Sequence, residues 1–154
     1  MLPPRIRVGF ENLPDELTGL CRGHSWQQLT APPADGIRPI SDILLHMVRA
    51  EAFWFEHVVF GKPRPKADPE NFNNLGAILA VWKPQRDRSL AWLARLTDHD
   101  RADTRPLPWD QTQHASIDDI VWHVVTHEQY HRGQVFTRLA LLGRRDLPDH
   151  DMLR

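Results

Sequence analysis

Apolar residues recur at three- and four-residue steps along several stretches of the chain, the signature of helices with one buried face. The clearest stretch lies between Ser41 and Gly61, where Ile43, Met47, Ala50, Phe53, Trp54 and Val58 share a side. Ser41 is the expected N-cap, and Gly61 and Pro63 the stop. His46 sits among these apolar positions. A second stretch runs from about Leu75 to Leu96, with Leu79, Trp82, Leu90, Leu93 and Leu96 as its expected buried side and a bend at Pro84. A third starts at Ser116, with Asp119 as the partner in an imperfect capping box, and continues to about Leu142, before Gly143. A shorter helix is expected over LPDELTGLCRG: Pro14 and Asp15 open it, Leu13, Leu17, Leu20 and Cys21 share a face, and Gly23 ends it.

The segments between are polar and rich in proline. Residues 24–39, 61–74 and 97–115 are expected to be loops, and the tail RRDLPDHDMLR an extended arm across the molecule. No repeat or second domain stands out, so residues 1–154 form one domain. Four helices joined by long loops predict an all-α four-helix bundle. Its 154 residues, 41% hydrophobic and 25% charged, suffice for a real core.

Charge and cysteine content narrow the partners. A formal net charge of -1 gives no basic field for nucleic acid or an anionic membrane. Cys21, the single cysteine, has no internal disulfide partner and reads as a small buried hydrophobe. Pro3, Pro4, Arg5 and Arg7 interrupt any leader-like opening, and no run of about eighteen apolar residues could span a bilayer. A cytoplasmic location is expected.

Nine histidines and six tryptophans exceed what packing needs in a chain of this size. His123, His127 and His131 follow one another at four-residue intervals in the last helix. Residues so spaced lie about 40° apart around a helix and about 6 Å apart along it, so two imidazoles can close on one ion. Spacing does not choose between His123/His127 and His127/His131. A bundle can supply a third ligand from a facing helix, for which His46 is the best candidate. His57 is expected at the rim, and His24, His99, His114 and His150 in loops or the tail. Glu51, Glu128 and Arg132 point off the ligand face and suit salt bridges, or subunit contacts for the last two. Gly133 suits close packing, and Trp54, Trp82, Trp92 and Trp122 suit the core. No Ser-His-Asp order or Gly-rich phosphate loop is present.

HVVTHEQYHRGQVFTRLALLG resembles the last-helix signature of the DinB/YfiT-like family, approximately H-x-x-x-H-x-x-x-H-R-G-Q. DILLHMVRAEAFWFEHVVFGK is similar to the family's second helix, and the order of elements also matches from about residue 13 to the tail. The short first helix departs from the longer one of many members. The resemblance implies a four-helix bundle with metal ligands His46, His127 and His131. It makes His123 a neighbour in hydrogen-bonding range, while Gln134 can reach the site rim or bond to a ligand. The family name implies no DNA binding.

The resemblance further implies a divalent ion, zinc or nickel, acting on a small-molecule substrate. Two enzyme classes come with it: S-transfer or isomerisation with a low-molecular-weight thiol as cosubstrate, and metal-dependent hydrolysis. The thiol class is slightly favoured. A non-catalytic metal-binding or stress-response bundle is the rival, and no catalytic side chain is assigned. A homodimer is in keeping with the family.

Overall fold

Proline has no amide hydrogen to leave unsatisfied, so it suits the first position of a helix. Pro4 takes that position in α1, Pro4–Cys21, which is longer than the helix expected from Leu13. Pro14 lies inside α1 and does not open it. Phe10, Leu13, Leu17 and Cys21 face the core. The structure, a computed structural model, describes residues 2–65 and 71–149.

A short α2, Trp26–Thr30, occurs where loop was expected. Ser25 and Gln28 form a reciprocal capping box there, and Leu29 is buried. Next, α3 runs Ile40–Ala52 and begins at Pro39 rather than being capped by Ser41, whose side chain is buried. It continues as a π-helical stretch, Phe53–Val59, with a widened turn that the apolar pattern did not disclose.

The following helix, α4, spans Leu75–Leu93 after an Asn74 cap that accepts from the Ala77 amide. Its buried side is Ile78, Trp82, Gln85, Arg86 and Ser89; Leu79, Leu90, Leu93 and Leu96 are only half-buried. A five-residue α5, Asp98–Ala102, and a hairpin of β1, Thr104–Leu107, with β2, Asp110–Ser116, replace the expected loop. Finally α6, Ile117–Leu141, starts at the Ser116–Asp119 capping box and stops before Gly143, whose φ is 94°.

Helices α1, α3, α4 and α6 pack around two apolar clusters. One joins Leu13, Leu17, Met47, Trp82 and Leu139; the other joins Phe10, Phe55, Ile120 and Val124. The tail lies against the bundle as far as it is described: Arg144 donates to the Leu20 carbonyl, and Leu147 packs on the first cluster. Among the described residues no helix is long and apolar enough to cross a membrane.

Arg86 ties the bundle together from inside. In an unbroken helix the amide of residue 14 would bond the carbonyl of Phe10, but proline cannot donate. Arg86 Nη1 donates to that Phe10 carbonyl instead, and its guanidinium stacks 3.6 Å from the Phe10 ring centroid. The same group donates to both oxygens of Glu51, each at 3.1 Å, and to Glu128 at 2.6 Å. Trp82 donates to Glu51 as well, at 3.1 Å. One residue of α4 therefore bridges α1, α3 and α6. The structural roles expected for Glu51 and Glu128 are what the fold gives them. Arg132 likewise pairs with Glu16 of α1.

Candidate metal centre

The bundle register set by this buried network brings three imidazoles to one point. His46 projects from the middle of α3, and His127 and His131 from successive turns of α6. The Nε2 atoms of His46 and His131 each lie 3.0 Å from Nε2 of His127, and all three lie within 4.8 Å of one another. His131 is buried, while the other two are half-buried.

A ring nitrogen in the imidazole plane can donate one proton or accept one. His131 Nδ1 lies 2.8 Å from the side-chain oxygen of Gln134, which only accepts, so Nδ1 holds the proton and Nε2 presents a lone pair. His127 Nε2 then faces two other Nε2 atoms with a single in-plane site, too few for both contacts. A cation resolves this conflict. At zinc–nitrogen distances of about 2.0–2.1 Å, tetrahedral angles put donor nitrogens roughly 3.3 Å apart, close to the spacing found. The donor set therefore fits a divalent ion.

Protonation is tuned the same way. Burial, then the neighbouring His131, Arg38 and Arg49, lowers His46 to about 4. Burial and the surrounding histidines and Arg38 lower His127 to about 4 as well. Burial also lowers His131. Neutral imidazoles are the form that ligates a metal.

The spacing of the helix left open which histidine pair meets His46, and the structure brings His127 and His131 to it. His123 stays outside the group: its ring stacks 5.7 Å from that of His127 and meets Trp54 edge-on at 4.6 Å. His57 lies near the end of the π-helical stretch, its Nδ1 bonded to the Lys62 carbonyl at 2.7 Å. His114 is exposed on β2 and His99 on α5, while His150 lies outside the described residues. Gly133 is exposed with open space where a side chain would point, so no element packs closely there. Trp82 is fully buried, but Trp122 is 38% exposed and does not serve the core.

A pocket of about 320 Å3 opens over the histidines, with His46 and His127 in its wall beside Arg49, Phe53, Trp54 and Arg64. The sequence pattern alone does not single out the two arginines. Arg49 had a usable signal, since it follows His46 by three residues and so shares its face. Arg64, beyond the helix-ending Gly61, had none.

Comparison with known proteins agrees with the architecture. The fold resembles the DinB-like protein YjoA of Bacillus subtilis, at a TM-score of 0.70 and 14% identity over 94% of this chain and 96% of that one. It also resembles B. subtilis YfiT, described as a probable metal-dependent hydrolase with an unusual four-helix bundle topology, at 0.71 and 16% over 91% and 87%. A DinB-like protein of Bacillus cereus matches at 0.72 and 13%, over 93% of each chain. Comparison with curated protein sequences gives no match. The sequence itself matches the profile of the DinB superfamily over residues 10–135, and the chain belongs to that superfamily.

Proposed function

We propose that His46, His127 and His131 hold a divalent ion, zinc or nickel, and that the protein is an enzyme using it to activate a small nucleophile. The convergence of three Nε2 atoms beside an open pocket carries this reading. A catalytic site of this kind keeps a position for a non-protein ligand, whereas a structural site closes with four protein ligands. No fourth His, Cys, Asp or Glu joins the group among the described residues. Bound to three neutral imidazoles, such an ion supplies Lewis acidity that lowers the pKa of a coordinated water or thiol.

The choice of nucleophile turns on how readily each would ionise on such an ion. A thiol, with a pKa of about 8.5, needs far less help to ionise than water does. That difference, with the family resemblance, supports thiol-dependent S-transfer or isomerisation. Gln134 holds the ligand proton of His131, and Phe53 and Trp54 exclude water from one side. Hydrolysis is the second reading, supported by the description of YfiT.

The test is to mix metal-loaded and metal-stripped protein with a panel of cellular thiols and an electrophile such as chlorodinitrobenzene. Metal-dependent thiol consumption is expected. Activity confined to ester or amide probes would favour hydrolysis, and a fully metal-loaded protein inert in every assay would favour the non-catalytic bundle.

A further inference from the structure

Helix α6 turns an uncharged stripe to solvent. At 100° per residue, Trp122, Thr126, Tyr130, Gly133, Thr137 and Leu141 fall within about 100° of one another around the helix and extend about 29 Å along it. All six are exposed, Tyr130 at 65% and Leu141 at 69%. His123 lies at the edge of the stripe against Trp54, and burial lowers its pKa, so it is neutral at pH 7. The charged side chains of the same span turn inward and are engaged there: Glu128 with Arg86, Arg132 with Glu16, and Arg138 with the Arg38 carbonyl. A surface helix ordinarily carries its charges on the solvent side, and α6 has them on the other.

The stripe is its own complement. Two copies of α6 laid antiparallel about a twofold axis midway between Tyr130 and Gly133 oppose Tyr130 with Gly133, Thr126 with Thr137 and Trp122 with Leu141, each contact occurring twice. The Tyr130 ring of one copy then fills the notch at Gly133 of the other, small meets small at the threonines, and apolar meets apolar further out. A glycine inside a helix costs stability relative to alanine, and a Cβ at Gly133 would meet no described atom of its own chain within 4 Å. Close approach of a second helix gives that glycine a use. The ends agree in charge. Asp119 is exposed at the start of α6 and Arg145 just past its end, so an antiparallel pair sets acid near base at both ends, whereas a parallel pair would set like beside like. The helix macrodipoles are opposed as well.

We propose that this face of α6 is a homodimer contact, in which two copies of the chain pair antiparallel across Tyr130 and Gly133. One helix from each copy makes a small interface, so association is reversible, with a dissociation constant of roughly micromolar order. None of the six residues is a candidate metal ligand, so the pairing stands apart from the metal reading.

Wild type, Gly133→Gln and Tyr130→Ser are compared by sedimentation velocity from roughly 1 to 200 μM. Wild type is expected to pass from monomer to dimer over that range, and each substitution should weaken association roughly tenfold or more. Gly133→Gln enters open space at an exposed helical position, so its thermal midpoint at low concentration should equal or exceed that of wild type, which separates lost pairing from lost fold. For orientation, Thr126→Cys and Thr137→Cys proteins are treated with a short bismaleimide, alone and mixed. Cys21 is fully buried and does not compete. The mixture should cross-link efficiently and each variant alone should not. Wild type that stays monomeric throughout, a dimer indifferent to either substitution, or cross-linking as strong in one variant alone as in the mixture would overturn the inference.

Discussion

The guanidinium of Arg86 donates to Glu128 at 2.6 Å, and both side chains are sealed from solvent. Glu128 directly follows His127, and Glu51, the second partner of Arg86, lies on the helix of His46. The two helices that carry the candidate ligands are therefore fastened to α4, one residue from His127 and five residues from His46.

Arg86→Met should destabilise the fold by about 3–5 kcal/mol, because it leaves buried Glu51 without its counter-charge and Glu128 without its donor. The Phe10 carbonyl, freed by Pro14, would lose its donor as well. Urea denaturation followed by circular dichroism measures the loss. A change below about 1 kcal/mol would mean the network contributes specificity rather than stability.

Glu128 should give the fold a distinctive pH dependence. Burial pushes its carboxyl up from an ordinary 4.5 to about 8 despite the opposing pull of Arg86, and its Oε2 has no hydrogen-bond partner among the described residues. Between those values the folded state holds a proton that the unfolded chain has released, so this group's contribution falls as pH rises from about 4.5 to about 8. Glu128→Gln cannot ionise, and its stability should fall less across that window. Chemical denaturation of metal-free wild type and variant at several pH values makes the comparison. Parallel pH profiles would count against a protonated Glu128.

Cys21 is fully buried and burial pushes its thiol up to about 12, so it is a poor nucleophile in the native state. A thiol reagent such as dithionitrobenzoate should label it only as fast as the protein opens, and immediately in denaturant. Fast labelling of native protein would show that this part of α1 is not packed as described.

Gln134→Ala should weaken metal binding roughly 10- to 100-fold, the usual effect of removing a partner that orients a ligating histidine. The bond at stake is the 2.8 Å contact to His131 Nδ1. Chelator competition reads the affinity, and an unchanged thermal midpoint of the metal-free variant separates this from unfolding. Unaltered affinity would make Gln134 a bystander.

How far the sequence spoke depended on whether a residue's role was local. Ser116, Asp119 and Gly143 bound α6 by local hydrogen bonding and backbone geometry, and both ends were legible. At Pro14 the local rule misled, because a helix opener and an interior proline rescued by a distant arginine look alike until Arg86 is seen. The buried side of α4 escaped for a related reason: Gln85, Arg86 and Ser89 are polar, and only their partners make burial tolerable. Gln85 donates to the Val48 carbonyl at 2.9 Å, and Ser89 to that of Gln85 at 3.1 Å. The hairpin was hidden because Gln111, Thr112, Gln113 and His114 are all exposed and carry no alternation. Helix geometry offered two histidine pairs, and the resemblance pointed to His46, His127 and His131 as the group that the structure brings together.

The central claim is the ligand set, and metal stoichiometry tests it most directly. Wild type, His46→Ala, His127→Ala, His131→Ala and His123→Ala are purified without affinity tags, loaded with zinc, desalted and analysed for metal and protein. About one equivalent is expected in wild type and His123→Ala, with little or none in the other three variants. Full metal in His46→Ala, His127→Ala or His131→Ala, or its loss only in His123→Ala, would contradict the account.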